Sequence, residues 1–195
     1  MYNIIMDWIE FEKNLPSKIR NTRKRSNASG FDYEYIKKIN GVVNGRSVIM
    51  PGITKTGKKR IASYCGHLCQ SITFGRVIPR FKKNAICQDR IANALYPNLY
   101  LNLKSLASTM FAEFEYNTIT LNHNFKCEPH KDGRNVGDSI IIGFGDYKDG
   151  ELNIENVKHN IKYKPLRFNG AISEHWVEDF DGERWTAIYF KTKFK

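Results

Sequence analysis

From Glu113 onward, apolar residues recur at every second position in short bursts separated by turn-forming residues. This pattern constrains the fold most, because a two-residue period puts alternate side chains on opposite faces of an extended strand. The bursts run near Phe114 to Asn124, Ser139 to Gly145, Glu151 to Glu155, Ile161 to Phe168, Ala171 to Phe180 and Arg184 to Thr192. Between them lie Gly133, Gly137, Asp149-Gly150, Asn169-Gly170 and Asp181-Gly182. About six short strands with such turns predict a sandwich or barrel. Upstream, Ile86, Ile91, Ala94, Leu95, Leu99, Leu103, Leu106 and Met110 follow a helical period broken at Pro97, which predicts two helices bracing the sheet. The expected class is α+β, mainly β: a two-sheet jelly roll with supporting helices.

The chain of 195 residues fits one domain, 41% apolar and 13% aromatic, enough for a core. Within residues 1–195 we expect a basic N-terminal portion (1–83), supporting helices (84–112) and a β-core (113–193). Asn3 to Leu15 reads as an amphipathic helix ended near Pro16. The run Lys18 to Arg25, continued by Ser26 to Gly30, reads as a basic loop. Val42 to Ile53, with Asn44-Gly45 as a type I′ turn signal, reads as a hairpin, followed by a second basic tip at Lys55 to Arg60.

The net charge of +11 is unevenly divided. Residues 1–83 carry 17 Lys and Arg against 5 Asp and Glu; residues 84–195 carry 14 against 15. The basic half predicts a polyanionic partner, of which nucleic acid is the commonest. No apolar run approaches the roughly 20 residues of a membrane span. Asp7, Glu10 and Glu12 near the start are unlike a secretory signal, so the expectation is an intracellular protein. The four cysteines, Cys65, Cys69, Cys87 and Cys127, are too sparse for a disulfide framework and read as free thiols. Cys65 and Cys69 around His67 are also compatible with part of a zinc site, against ordinary packing. A composition rich in Asn, Lys, Ile, Phe and Tyr suits an AT-rich genome, viral or microbial.

Chemistry concentrates in Cys127-Glu-Pro-His-Lys-Asp-Gly-Arg-Asn135. On an extended backbone His130 and Asp132 project to one side while Lys131 points away. Imidazole, carboxylate and one distant imidazole make the facial triad of non-haem Fe(II) oxygenases, which leaves coordination positions open. His175, late in the strand series, is the best third ligand. His159 reads as a loop histidine, and His123 as a neighbour of the site without a carboxylate partner. Nine residues beyond His175, Arg184 is placed to bind a carboxylate through paired hydrogen bonds, with the Thr186 hydroxyl adding a donor on the same side.

These residues resemble the 2-oxoglutarate/Fe(II) dioxygenase superfamily, whose double-stranded β-helix carries H-x-D, a distal His, and an Arg followed two positions later by Ser or Thr. The segment His130-Lys-Asp-Gly-Arg-Asn135 is similar to the H-x-D-x-x-N motif of the TET/JBP branch, which oxidises the methyl group of 5-methylpyrimidines in nucleic acid. The resemblance implies Fe(II), 2-oxoglutarate and O2 as reactants, ascorbate as a reductant, decarboxylation to succinate, and hydroxylation of a substrate C–H bond. It implies that Asn135, beside Arg134, reads the substrate base, its other role being a turn residue before Gly137. It also implies that Asn122 or Asn124 contacts 2-oxoglutarate, as an asparagine does in AlkB-like relatives. Here the His175 to Arg184 spacing is tighter than in animal TET enzymes, and no cysteine-rich module precedes the core. Trp176 and Trp185 point away from the ligands and read as packing residues. Two other expectations stand beside nucleobase oxidation: hydroxylation of a prolyl or lysyl side chain in an acidic protein partner, and a nucleic-acid-binding module without catalysis.

Overall fold

The computed structural model describes residues 10–16, 19, 70–78, 86–127 and 129–193, together with the backbone of five two-residue strands nearer the N-terminus. Those strands are β1 (Ala28–Ser29), β2 (Val42–Val43), β3 (Arg46–Ser47), β4 (Gly52–Ile53) and β5 (Lys59–Arg60). The pairing of β2 with β3 across Asn44-Gly45 bears out the hairpin, and β4 with β5 forms a second one. Ala28 and Ser29, expected in a loop, instead pair with Cys127 and Lys126, because an extended pair satisfies backbone groups that a loop leaves to water. Of the N-terminal helix only its end, residues 10–13, is described; the basic run Lys18 to Arg25, apart from Ile19, and the Cys65, His67, Cys69 cluster lie outside the described residues.

The main sheet contains β6 (Gln70–Val77), β7 (Gln88–Asp89), β8 (Thr118–His123), β10 (Asn135–Phe144), β14 (Leu166–Phe168) and β17 (Trp185–Thr192), in the order β14-β10-β17-β8-β6-β7. All its pairings are antiparallel. β6 comes from the stretch noted for its charge, where one uninterrupted run, Ser-Ile-Thr-Phe, alternates small polar with large apolar residues. The second layer comprises β11 (Tyr147–Asp149), β12 (Leu152–Ile154), β13 (Val157–His159), β15 (His175–Val177) and β16 (Phe180–Gly182). β12 pairs with β13 and β15, and β11 with β16. Bonds from Gly150 N–H to the Asp179 carbonyl and from Glu178 N–H to the Glu151 carbonyl carry this ladder across its break. Two antiparallel layers with helices outside make the expected jelly-roll core.

The first strand starts at Thr118 rather than near Phe114, and ten strands are present from there on, counting the short β9 (Lys126–Cys127). Turns cut the longer bursts: residues 171–174 turn before β15, and Tyr163, at φ 57, interrupts the stretch leading to β14. Gly137, at φ 69, lies where the register of β10 shifts, so it makes a bulge rather than a turn between strands. His159, expected in a loop, ends β13 opposite Leu152.

One face of the main sheet is covered by α1 (Ile91–Leu95) and α2 (Pro97–Phe111). Pro97 starts α2, where its missing N–H costs nothing. The helical reading of the stretch from Asn84 begins too early: Gln88–Asp89 pair at the sheet edge, and Ile86 and Ile91 are 79% and 68% exposed. Leu99, Leu103, Leu106 and Ala107 of α2 bury against Ile72, Phe74, Ile119, Leu121, Ala187 and Tyr189. The Tyr189 hydroxyl donates to the Leu103 carbonyl at 2.9 Å, pinning strand to helix. No described helix is long and apolar enough to cross a membrane.

Candidate metal centre

The opposite face of the main sheet has a different chemistry. Register aligns Ser71, Asn122, Thr186 and Gly143 in one row, and Thr73 and Thr120 in the next. All four side chains of the first two strands, and Thr186, are buried. A buried wall of hydroxyls and an amide is what an enclosed polar ligand requires, whereas a simple core would carry aliphatic residues there. Farther along, this inner face becomes apolar, with Ile141, Ile188, Leu152, Phe125 and Val177 in a second cluster between the layers.

His130, Asp132 and His175 meet at the rim of that cluster. His130 and His175 form an isolated antiparallel bridge, their backbone bonds measuring 3.1 and 3.0 Å in the two directions. The pairing brings the imidazole centroids to 4.3 Å. The Asp132 N–H donates to the Gly170 carbonyl at 2.7 Å, so its backbone is held by the loop that leads into His175. Its two oxygens lie 3.9 Å from His130 Nε2 and 3.8 Å from His175 Nε2. One ligand atom from each of the three residues falls within 4.8 Å of the others. His175 Nδ1 faces the Ser173 carbonyl at 3.0 Å, so a proton there leaves Nε2 free as a donor atom toward the other two. Phe168 packs edge-on to the His175 ring at 5.0 Å and fixes its plane. Two imidazoles and a carboxylate that approach one point from one side fit a divalent transition metal with open positions opposite.

Arg184 immediately precedes β17 and is 1% exposed. Its guanidinium lies 5.5 Å from the ring centroids of both Tyr147 and Phe180. Nε and Nη2 have no hydrogen-bond partner among the described residues, and no described carboxylate stands within ion-pair distance. Burial depresses its pKa, opposed by the neighbouring Tyr147 and Cys127. A buried cation with two unused donors is costly unless an anion completes it. The donor set therefore fits a bound carboxylate. Thr186 lies two residues along, on the same wall.

The remaining expected residues are placed as follows. Asn122 is buried in the polar row between Ser71 and Thr186. Asn124, expected as a possible ligand contact, is turned elsewhere: its Oδ1 accepts from Arg184 N–H at 2.8 Å, and its own N–H donates to the Arg184 carbonyl at 2.7 Å. The left-handed backbone of Asn124, φ 48, aims both groups at that one residue. Asn135 bonds through its Nδ2 to Ser139 Oγ at 3.3 Å, and Arg134 is exposed beside it. His123, expected without a carboxylate partner, has one: its Nε2 is 2.9 Å from Glu183. It projects to the helix-covered face and stacks on Trp185 at 4.0 Å, because strand alternation puts both on the side opposite Asn122 and Thr186. Trp185 is buried there, while half-buried Trp176 donates to Glu178 at 3.1 Å. Cys87 and Cys127 are in no disulfide, as expected. Sequence reasoning missed the packing of Tyr147 against Arg184. A signal existed in Gly143, a glycine deep inside a ten-residue strand, which marks close approach of another group.

No protein-family model matches the chain, and comparison with curated proteins gives no match. Among solved structures it is similar to NgTET1 in complex with 5mC DNA, at 18% identity and a TM-score of 0.42, covering 76% of this chain and 84% of that one. It is also similar to an oxidoreductase of the 2OG-Fe(II) oxygenase family from Burkholderia pseudomallei, at 14% identity and 0.38, covering 96% and 88%. A third is a Pseudomonas putida prolyl-4-hydroxylase, at 13% and 0.34, covering 64% and 69%.

Proposed function

We propose that the chain is an Fe(II)- and 2-oxoglutarate-dependent dioxygenase that hydroxylates a methyl group on a nucleobase in DNA or RNA. The observation that carries the reaction class is the buried, incompletely paired Arg184 inside the same two-layer core whose rim gathers His130, Asp132 and His175. In this reading the triad holds the metal and Arg184, with Thr186, binds the distal carboxylate of 2-oxoglutarate. Bound iron supplies activation of O2, coupled to decarboxylation of the co-substrate. The protein's own residues fix orientation: Ser173 sets the His175 tautomer, Gly170 holds the Asp132 backbone, and the polar wall of Ser71, Asn122 and Thr186 meets the co-substrate's oxygens.

The nucleic-acid part rests on charge and topology. The basic run Lys18 to Arg25 immediately precedes Ala28–Ser29, which pair with Lys126 and Cys127 just before His130. Lys131 and Arg134 are exposed on either side of Asp132. In this reading the basic run, Lys131 and Arg134 provide phosphate contacts, and Asn135 with Arg134 reads a base displaced from its stack.

The test incubates purified protein with Fe(II), ascorbate and 2-oxoglutarate, and with pools of methylated oligonucleotides or peptides. Succinate together with a product 16 Da heavier in the oligonucleotide pool is the expected result. A heavier product only among peptides overturns the substrate assignment. Absence of any succinate, coupled or uncoupled, overturns the reaction class.

A further inference from the structure

The outer face of the second layer carries a hydrogen-bond network just behind the metal centre. Strand alternation turns His175 and Val177 of β15 inward and Trp176 to the opposite side, where it stands across from Asn153 of β12, itself paired with Lys158 of β13. Glu178 follows on that outer side and joins all three strands. Its Oε1 accepts from Asn153 Nδ2 at 2.9 Å and from Trp176 Nε1 at 3.1 Å, and its Oε2 lies 3.5 Å from Lys158 Nζ. Asn153 is only 4% exposed, so a buried amide donor depends on this carboxylate. The bond from Asn153 holds the Glu178 carboxyl below the usual carboxylate range, so the acceptor is ionised at neutral pH.

β15 is three residues long, so few ladder bonds fix its register. A slip of one residue against β12 would turn His175 to the outer side and Trp176 into the apolar interior, and would take the acceptor away from Asn153. We propose that Glu178 is a positioning residue of the metal centre: closed on Asn153 and Trp176, its carboxylate holds β15 in the register that presents His175 to the metal. The inference rests on the metal reading above. Glu178 acts through the strand, from the side opposite the ligands.

The test titrates the full chain with Co(II), whose d–d absorption reports the ligand set, under anaerobic conditions and without co-substrate. Glu178→Ala should weaken Co(II) binding about tenfold and alter the d–d band, as for loss of a group that orients a metal ligand. Glu178→Gln, which keeps an oxygen acceptor, should restore most of the affinity. Ile72→Val, which lowers stability from the helix-covered face of the main sheet, should change neither affinity nor spectrum. In a His175→Ala background Glu178→Ala should have no further effect, because it acts through that ligand. Full affinity with an unchanged spectrum in Glu178→Ala would overturn the inference, as would the same loss with His175 absent. If Glu178→Ala does not fold, Trp176→Phe, which deletes the indole donor, takes its place with an expected loss of about threefold, and wild-type affinity there would overturn the inference. Wild-type protein that binds no Co(II), or binds it equally tightly without His175, would overturn the metal reading itself, and this inference with it.

Discussion

Replacing Asn124 by alanine removes two separate supports of Arg184, and their sizes can be worked out. The first is the side-chain acceptor of the Arg184 N–H at 2.8 Å. Without it a peptide donor beside a residue only 1% exposed loses its partner, a cost of about 1–3 kcal/mol. The second is conformational. At φ 48 asparagine is tolerated, but alanine pays about 1 kcal/mol or more for the left-handed region. Asn124→Ala should therefore destabilise the fold by about 2–4 kcal/mol. Asn124→Gly relieves the backbone and keeps only the first cost, and Asn124→Asp keeps both acceptor and conformational tolerance. The expected order of stability in urea is wild type, Asp, Gly, Ala, measured as midpoint at constant m-value. Because the lost bond fixes the segment that carries the guanidinium, 2-oxoglutarate affinity of the Mn(II)-loaded variants should fall in the same order. An alanine variant within about 0.5 kcal/mol of wild type would refute the clamp, since neither term could then be present. A glycine variant as unstable as alanine would refute the conformational part alone.

Asp132→Ala and His175→Ala should each weaken Mn(II) or Fe(II) binding by more than about 100-fold while retaining the wild-type circular dichroism; tight metal binding by both would exclude the triad. Arg184→Met should abolish measurable 2-oxoglutarate binding with little effect on the metal, and because it also removes a buried cation its stability should equal or exceed wild type. Oligonucleotide affinity should fall linearly in log–log form with salt, by a slope of about 0.9 per phosphate contact, and neutralising Arg23, Lys24 and Arg25 together should lower that slope by up to about 3; an unchanged slope would remove this run from the interface. His123 has its pKa lowered by burial, with Glu183 opposing, so the folded state favours the neutral ring and the unfolded state binds more protons. Stability from this residue is present above its unfolded pKa of about 6.5 and is lost as pH falls through the lower folded value; His123→Phe, which retains the stack on Trp185, should flatten that acid slope, and parallel wild-type and variant curves would contradict it.

What the sequence disclosed about this site depended on the range over which the information acts. His130 and Asp132 are two apart, so strand geometry alone predicts their common side. His175 required knowing that a late strand returns to the first pair, which turn spacing suggested but the backbone bridge to His130 supplies. Arg184 was readable as a cation after a turn; its burial was not, because that depends on Tyr147 and Phe180 arriving from two other strands. The error over His123 has the same origin. Its carboxylate partner Glu183 is 60 residues away and meets it only through the register of β8 with β17. Helix boundaries failed for a local reason: Ile86 continues the helical period, but β7 takes its segment into the sheet edge and leaves it exposed. β6 is a single short alternating run, Ser71-Ile-Thr-Phe74, set in a stretch dominated by basic residues, so its period stands out little from its surroundings.

The two faces of the main sheet show why a short β-core can hold a reactive centre. On the outer face Ile72, Phe74, Leu121, Ala187 and Tyr189 bury against α2. That layer stabilises the sheet by roughly 25 cal/mol for each Å² of apolar surface removed from water. The part of the inner face beside Arg184 is released from the same duty, which Ile141 and Ile188 share farther along. It carries Ser71, Thr73, Thr120, Asn122 and Thr186, whose buried polar atoms need hydrogen-bond partners, as Thr73 and Thr120 supply to each other at 3.1 Å. Strand alternation makes the two faces independent, so a substitution such as Ile72→Val should cost about 1 kcal/mol in stability and leave 2-oxoglutarate affinity untouched. Thr186→Val should do the reverse, weakening co-substrate binding several-fold with a smaller effect on folding. Arg184 is the exception that couples the faces, because its neighbour Trp185 packs outward against His123 while its own side chain turns inward. Loosening that stack by Trp185→Ala should therefore lower both stability and co-substrate affinity, and a variant that lost stability alone would show that Asn124 holds Arg184 without help from the outer face.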